Sequence, residues 1–144
     1  MNRLVSALLA AALALGLAGV GVAYAKTIAL TAELSGLNEA PPNGVAATGL
    51  AEATFDTESM ILDWTVTYEG LSGPAIGAHI HGPVEPGSNA GILIEFDPIE
   101  VSPITGSATL TQVQAADLLA GLYYVNLHTA AHPGGEVRGQ LIAQ

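Results

Sequence analysis

The chain has 144 residues, no cysteine and a formal net charge of −10 at pH 7, from 13 acids against three Lys or Arg. It therefore has no disulfide framework, thiol nucleophile or cysteine-linked lipid, and its acidity repels nucleic acid and anionic membranes while attracting cations. The length suits one domain with a core large enough to fold without covalent staples.

Residues 1–25 start with Arg3, run almost wholly apolar from Leu4 to Val22, and end in Ala23-Tyr24-Ala25, the small-x-small form of a cleavage site. This reads as a secretory signal peptide. The apolar run is also long enough for a transmembrane anchor, but its Ala- and Gly-rich composition and the cleavage motif favour the signal. Cleavage leaves 119 residues, 26–144, at a formal charge of −11, because the signal holds Arg3 and no acid. Lys26 and Arg138 are then the only strong bases. The mature protein is expected in the periplasm or outside the cell, without membrane contact.

The mature chain reads as short strands divided by Gly and Pro, the pattern of an all-β, Greek-key antiparallel sandwich or barrel with one short helix. Residues 27–34 alternate around Ile28, Leu30 and Ala32 or Leu34. Pro41 and Pro42 prevent 37–44 from continuing a central strand, and 46–55 resumes the extended pattern. Asp56-Thr57-Glu58-Ser59 is a turn. In 60–68, Leu62, Trp64, Val66 and Tyr68 share one face and Asp63, Thr65 and Thr67 the other, the signature of a half-buried strand. Residues 75–81 form the next strand: Ile76, Ala78 and Ile80 should enter the core, while Gly77, His79 and His81 point away from it. A Pro- and Gly-rich loop spans 82–91, and short strands are expected at 92–96 and 107–110.

Thr111 with Gln114 three residues later makes a capping box, Leu110 can pack back on the first turn, and Gly121 supplies a left-handed stop, so 112–120 is predicted as a helix. In 122–128, Tyr124, Asn126 and His128 share one face, opposite Tyr123, Val125 and Leu127. Pro133-Gly134-Gly135 turns the chain into a closing strand at 136–142.

His79 and His81 are two of only four histidines. In an extended strand residues two apart face the same way, so the pair can close on one metal ion. His128 stands on the more polar face of a later strand, and strands distant in sequence are often neighbours in a sandwich. If they meet, three imidazoles converge around an open position. Imidazole suits copper, zinc, iron and nickel, and copper(II) binds such sites most strongly among the common divalent ions; zinc also accepts a three-histidine site. His132, beside the Pro133 turn, is expected to be solvated. Glu39 and Glu136 are further candidate oxygens, whose simpler role is as solvent-facing carboxylates. No Gly-x-Ser-x-Gly elbow, P-loop or dinucleotide fingerprint is present, and the scattered acids give no glycosidase pair.

Residues 34–42 (Leu-Ser-Gly-Leu-Asn-Glu-Ala-Pro-Pro), 78–83 (Ala-His-Ile-His-Gly-Pro) and 118–141, with Tyr123-Tyr124-Val125-Asn126-Leu127-His128 and Pro133-Gly134-Gly135-Glu136-Val137-Arg138-Gly139-Gln140-Leu141, closely resemble the CHRD domain, named after chordin. The resemblance implies a secreted all-β domain over 26–144 and leaves its activity open. A fainter similarity is to the copper/zinc superoxide dismutase sandwich, where a His-x-His strand and a distant histidine hold copper; on that analogy His79 and His81 match the pair and His128 the distant ligand. There is no match for a bridging histidine with a zinc loop, and the bracing cysteines are absent. The negative field also opposes steering of an anionic substrate, although Arg138 could supply a local positive group.

The expected function is thus binding, storage or delivery of a transition metal, copper before zinc, through His79, His81 and His128. A metal-free module for a protein or matrix partner is the alternative, and a small dismutase-like copper enzyme a further one.

Overall fold

The period-two segments become strands, and their apolar faces meet in one core. In the computed structural model, which describes residues 26–144, the strands are β1 (Thr27–Ser35), β2 (Thr48–Asp56), β3 (Ile61–Glu69), β4 (Ala75–His81), β5 (Ile92–Glu95), β6 (Ile104–Thr109), β7 (Tyr124–Thr129), β8 (Val137–Gln140) and β9 (Ile142–Ala143). The expected signal peptide, residues 1–25, lies outside the described residues. Among the described residues no helix is long and apolar enough to cross a membrane.

The strands form one antiparallel path in the order β5-β4-β7-β8-β1-β2-β3-β6, with β9 paired to β1. It curls into a nearly closed barrel around the side chains of both halves, as expected for an all-β sandwich or barrel. The links from β3 to β4, β5 to β6 and β6 to β7 join non-neighbours, which is Greek-key rather than up-and-down connectivity. Leu30, Ala32 and Leu34 of β1, Ala51, Ala53 and Phe55 of β2, and Leu62, Trp64 and Val66 of β3 supply one wall of the core; Ala78, Ile80, Val125 and Leu127 supply the other. Trp64 stacks on Phe96 with ring centroids 4.8 Å apart. The expected turn after β2 is held by Asp56, whose Oδ1 accepts from the Ser59 N–H at 2.7 Å and the Ser59 hydroxyl at 2.8 Å.

The helix α1 (Gln112–Leu119) carries the complete capping box. Thr111 N–H donates to Gln114 Oε1 at 2.8 Å and Gln114 N–H to Thr111 Oγ1 at 3.2 Å, and Gly121 ends the turn at φ 75°. Leu110, Ala115 and Leu118 bury its inner side in the core.

One reading is refined and two are corrected. Residues 36–38 form a 3₁₀ turn, Gly36–Asn38, where only a break in the strand was expected. The closing strand is split at Leu141, whose N–H bonds Tyr123 O at 2.9 Å while its side chain enters the core, so β8 stays on β7 and β9 crosses to β1. Ile76 is 59% exposed rather than in the core, because the β4–β7 register skips a residue between Ala75 and Gly77 and Ile76 sits at that bulge.

Candidate metal centre

The centre is built on the sheet face opposite the core, where β4, β7 and β8 lie side by side. Gly77 pairs with His128, His79 with Asn126 and His81 with Tyr124 across β4 and β7; Asn126 in turn pairs with Arg138 and Tyr124 with Gln140 across β7 and β8. The alternation turns Ala78 and Ile80 into the core and the three histidines to the other side, as the pattern predicts. That side is not open to water: His79 is 9% and His81 7% exposed. Loop 82–91 and the turn after β7 fold over it, and Gly77 leaves room beneath, since a Cβ there would stand 2.9 Å from His79 Cε1 and 3.6 Å from His128 Cδ2.

The structure brings all three predicted histidines together. Ring centroids are 5.2 Å apart for His79 and His81, 4.9 Å for His79 and His128, and 5.8 Å for His81 and His128. One potential ligand atom from each lies within 4.8 Å of the other two. His81 Nδ1 is 3.1 Å from Ala90 O and His128 Nδ1 is 3.0 Å from Pro133 O. A carbonyl only accepts, so each Nδ1 carries the proton and donates it, which leaves each Nε2 as a bare lone pair. Those two Nε2 atoms and His79 Nδ1 are buried without any hydrogen-bond partner. Buried polar atoms in native proteins are almost always partnered; three rings with bare nitrogens, clustered at this spacing, could hold a metal ion.

The electrostatics agree. Burial, with the neighbouring His128 and His81 charges added, lowers the His79 pKa to about 4. Burial also lowers His81, where the bond to Ala90 opposes it and the charges of His128 and Arg138 add to it. His128 is lowered by burial against the opposing bond to Pro133. The three rings are therefore held neutral, the form that binds a metal, at pH 7 and somewhat below.

Around them is a stacked support that sequence reasoning did not identify. The Tyr124 ring lies nearly parallel to His81 at 4.9 Å and 7°, and the Arg138 guanidinium sits 3.4 Å over the Tyr124 ring centroid. Arg138 is 2% exposed; it donates from Nη1 to Asn89 Oδ1 at 3.0 Å and from Nη2 to Ser88 O. Ala90 N–H donates to the Tyr124 hydroxyl at 3.2 Å. Loop 82–91 thus grips His81, Tyr124 and Arg138 together. The signal available in the sequence was the period-two placement of Tyr124 with His128 and the presence of a single arginine in residues 26–144. Beside the centre, a cleft of about 710 Å³ opens between residues 37–42 and 86–89, with Arg138 and Gln140 in its lining.

The carboxylates are not in the three-residue cluster, nor are they solvent-facing. Glu39 is 6% exposed and its Oε1 accepts from Asn126 Nδ2 at 2.6 Å; burial raises its pKa against the opposing Asn126 bond and the Arg138 charge. Glu136 is buried, accepting from Ser72 N–H at 2.7 Å, the Ser72 hydroxyl at 2.6 Å and the Thr129 hydroxyl. Burial alone would raise its pKa, but these hydrogen bonds hold it below the usual carboxylate range. His132 is half-buried in the turn, its backbone N–H on Thr129 O at 3.1 Å, and it is not part of the cluster.

A family model described as CHRD domain matches residues 30–141. No curated protein and no solved structure matches the chain.

Proposed function

The chain belongs to the CHRD domain family, and on that premise we propose that it is an exported protein which binds one transition-metal ion, copper before zinc, through His79, His81 and His128. Its role is to hold or hand on the metal in the periplasm or outside the cell, after removal of residues 1–25 from the domain at 26–144. The observation that carries this reading is the set of three buried ring nitrogens with no partner. Each such atom costs stability in the metal-free fold, and a metal ion removes that cost at all three together. The carbonyls of Ala90 and Pro133 hold two rings in the ligating tautomer, the outer support that metal-binding histidines commonly receive. Copper stands above zinc in affinity for nitrogen sites, and among the described residues no carboxylate or thiolate joins the cluster to favour zinc.

A metal-free interaction module leaves the bare nitrogens without a purpose. Dismutase-like turnover has weaker support, because the field of the acidic chain repels superoxide and Arg138 is engaged by Tyr124, Ser88 and Asn89. The test is calorimetric titration of the purified protein with copper and with zinc. One copper per chain is expected, with affinity falling at least about 100-fold in His79→Ala plus His81→Ala, since even outer-shell changes cost tenfold to 100-fold. Full affinity in that double variant would remove the site.

A further inference from the structure

Resting on the metal-binding reading, we propose that the centre is built to hold copper as Cu(I) in preference to Cu(II), and that Arg138 is the positioning residue that strengthens this bias. Three features converge on it.

The first is charge. All three donors are neutral imidazoles, and among the described residues no anionic ligand joins them. Glu39 Oε1 is committed to Asn126 and both Glu136 oxygens to Ser72 and Thr129, and the exposed Glu95, opposite His79 on β5, stays outside the cluster. An ion in this centre keeps its full formal charge, and burying two charges costs more than burying one.

The second is coordination number. The bare nitrogens are buried, beneath loop 82–91 and the turn at Pro133. Zinc is usually four-coordinate and Cu(II) prefers tetragonal surroundings, so both need at least one more ligand, whereas Cu(I) is satisfied by three nitrogens. Among the described residues the cluster supplies three donors and no fourth, so the divalent ions must recruit a further ligand that Cu(I) does not need.

The third is the Arg138 stack. Its guanidinium lies on Tyr124, and Tyr124 lies on His81, so a permanent positive charge stands within roughly 8 Å of a donor ring, a range at which interaction across a partly buried interior remains substantial. Ser88 O and Asn89 Oδ1 fix it there. This charge penalises Cu(II) more than Cu(I). Glu39, whose Oε1 is tied to Asn126, offsets this charge only in part.

The experiment measures both affinities on the purified protein. Cu(I) is competed against a chromophoric Cu(I) chelator under ascorbate, and Cu(II) against a Cu(II) chelator in air. The expected result is Cu(I) bound at least about 100-fold more tightly than Cu(II). Cu(II) bound as tightly as Cu(I), or more tightly, overturns the inference and leaves the metal-binding function standing; failure to bind either ion overturns both. In Arg138→Gln the ratio of the two affinities is expected to narrow by about tenfold; an unchanged ratio in a folded Arg138→Gln removes Arg138 from the account. Glu39→Gln reads the same field from the opposite sign should Arg138→Gln not fold: the ratio is expected to widen, and a ratio that holds or narrows contradicts the electrostatic bias.

Discussion

Replacing His79 by Leu should stabilise the metal-free protein while abolishing its response to metal. The His79 side chain is nearly buried and its Nδ1 has no partner. Leaving such an atom unsatisfied costs about 1–3 kcal/mol, and a leucine of similar volume removes that cost at a packing penalty under about 1.5 kcal/mol. The net gain for the apoprotein is about 1 kcal/mol. At a urea m-value of about 2 kcal/mol/M this moves the unfolding midpoint up by about 0.5 M. Urea titration of chelator-treated protein at pH 7.5 measures it. With free copper at 100 times its dissociation constant, the wild type gains about 2.7 kcal/mol and His79→Leu gains little. A variant apoprotein destabilised by 1 kcal/mol or more would refute the reasoning, because it would show that His79 is a structural residue with interactions worth keeping.

Acid should weaken the apoprotein in a defined window. The unfolded chain protonates His79 near pH 6.5, but the folded chain resists until about pH 4, so the unfolded state binds more protons between these values and stability falls as pH drops through them. His81 and His128 are lowered too and steepen the loss; the His79 share is on the order of 2 kcal/mol after solvent screening, and an apoprotein equally stable to urea at pH 7 and pH 5 would contradict it. Gly135→Ala should lower stability by about 2 kcal/mol or more, because Gly135 has φ 131° and a Cβ there would meet Glu39 Oε1 at 2.7 Å and Asn126 Nδ2 at 2.8 Å; a melting temperature within a degree of wild type would rule out this packing. Leu118→Ala, at a fully buried position on α1, should cost about 2–5 kcal/mol without changing copper stoichiometry, measured by denaturation and titration of the same preparation.

The fold was legible where period two and turn chemistry agree. Leu62, Trp64 and Val66 announced their strand by alternation, and Thr111, Gln114 and Gly121 marked both ends of the helix. The split at Leu141 was hidden because that residue fits an apolar strand position; only its bond to Tyr123, eighteen residues earlier, turns the chain across to β1. The same rule of alternation that located His79 and His81 misplaced Ile76, since a bulge depends on the partner strand's register. The histidine set was readable from strand periodicity, and the register of β7 against β4 then brought His128 to the pair. What covers the set was not readable. The tautomers depend on the carbonyls of Ala90 and Pro133, which carry no side-chain signature, and the burial of Glu39 and Glu136 comes from partners far away in sequence, Asn126 and Ser72.

The most direct test is a crystal structure of the copper-loaded protein with anomalous data at the copper edge. The account predicts a single copper peak bonded at about 2.0–2.1 Å, the metal–imidazole distance, to His79 Nδ1, His81 Nε2 and His128 Nε2. Copper located anywhere else, or bound by fewer than all three rings, would contradict it.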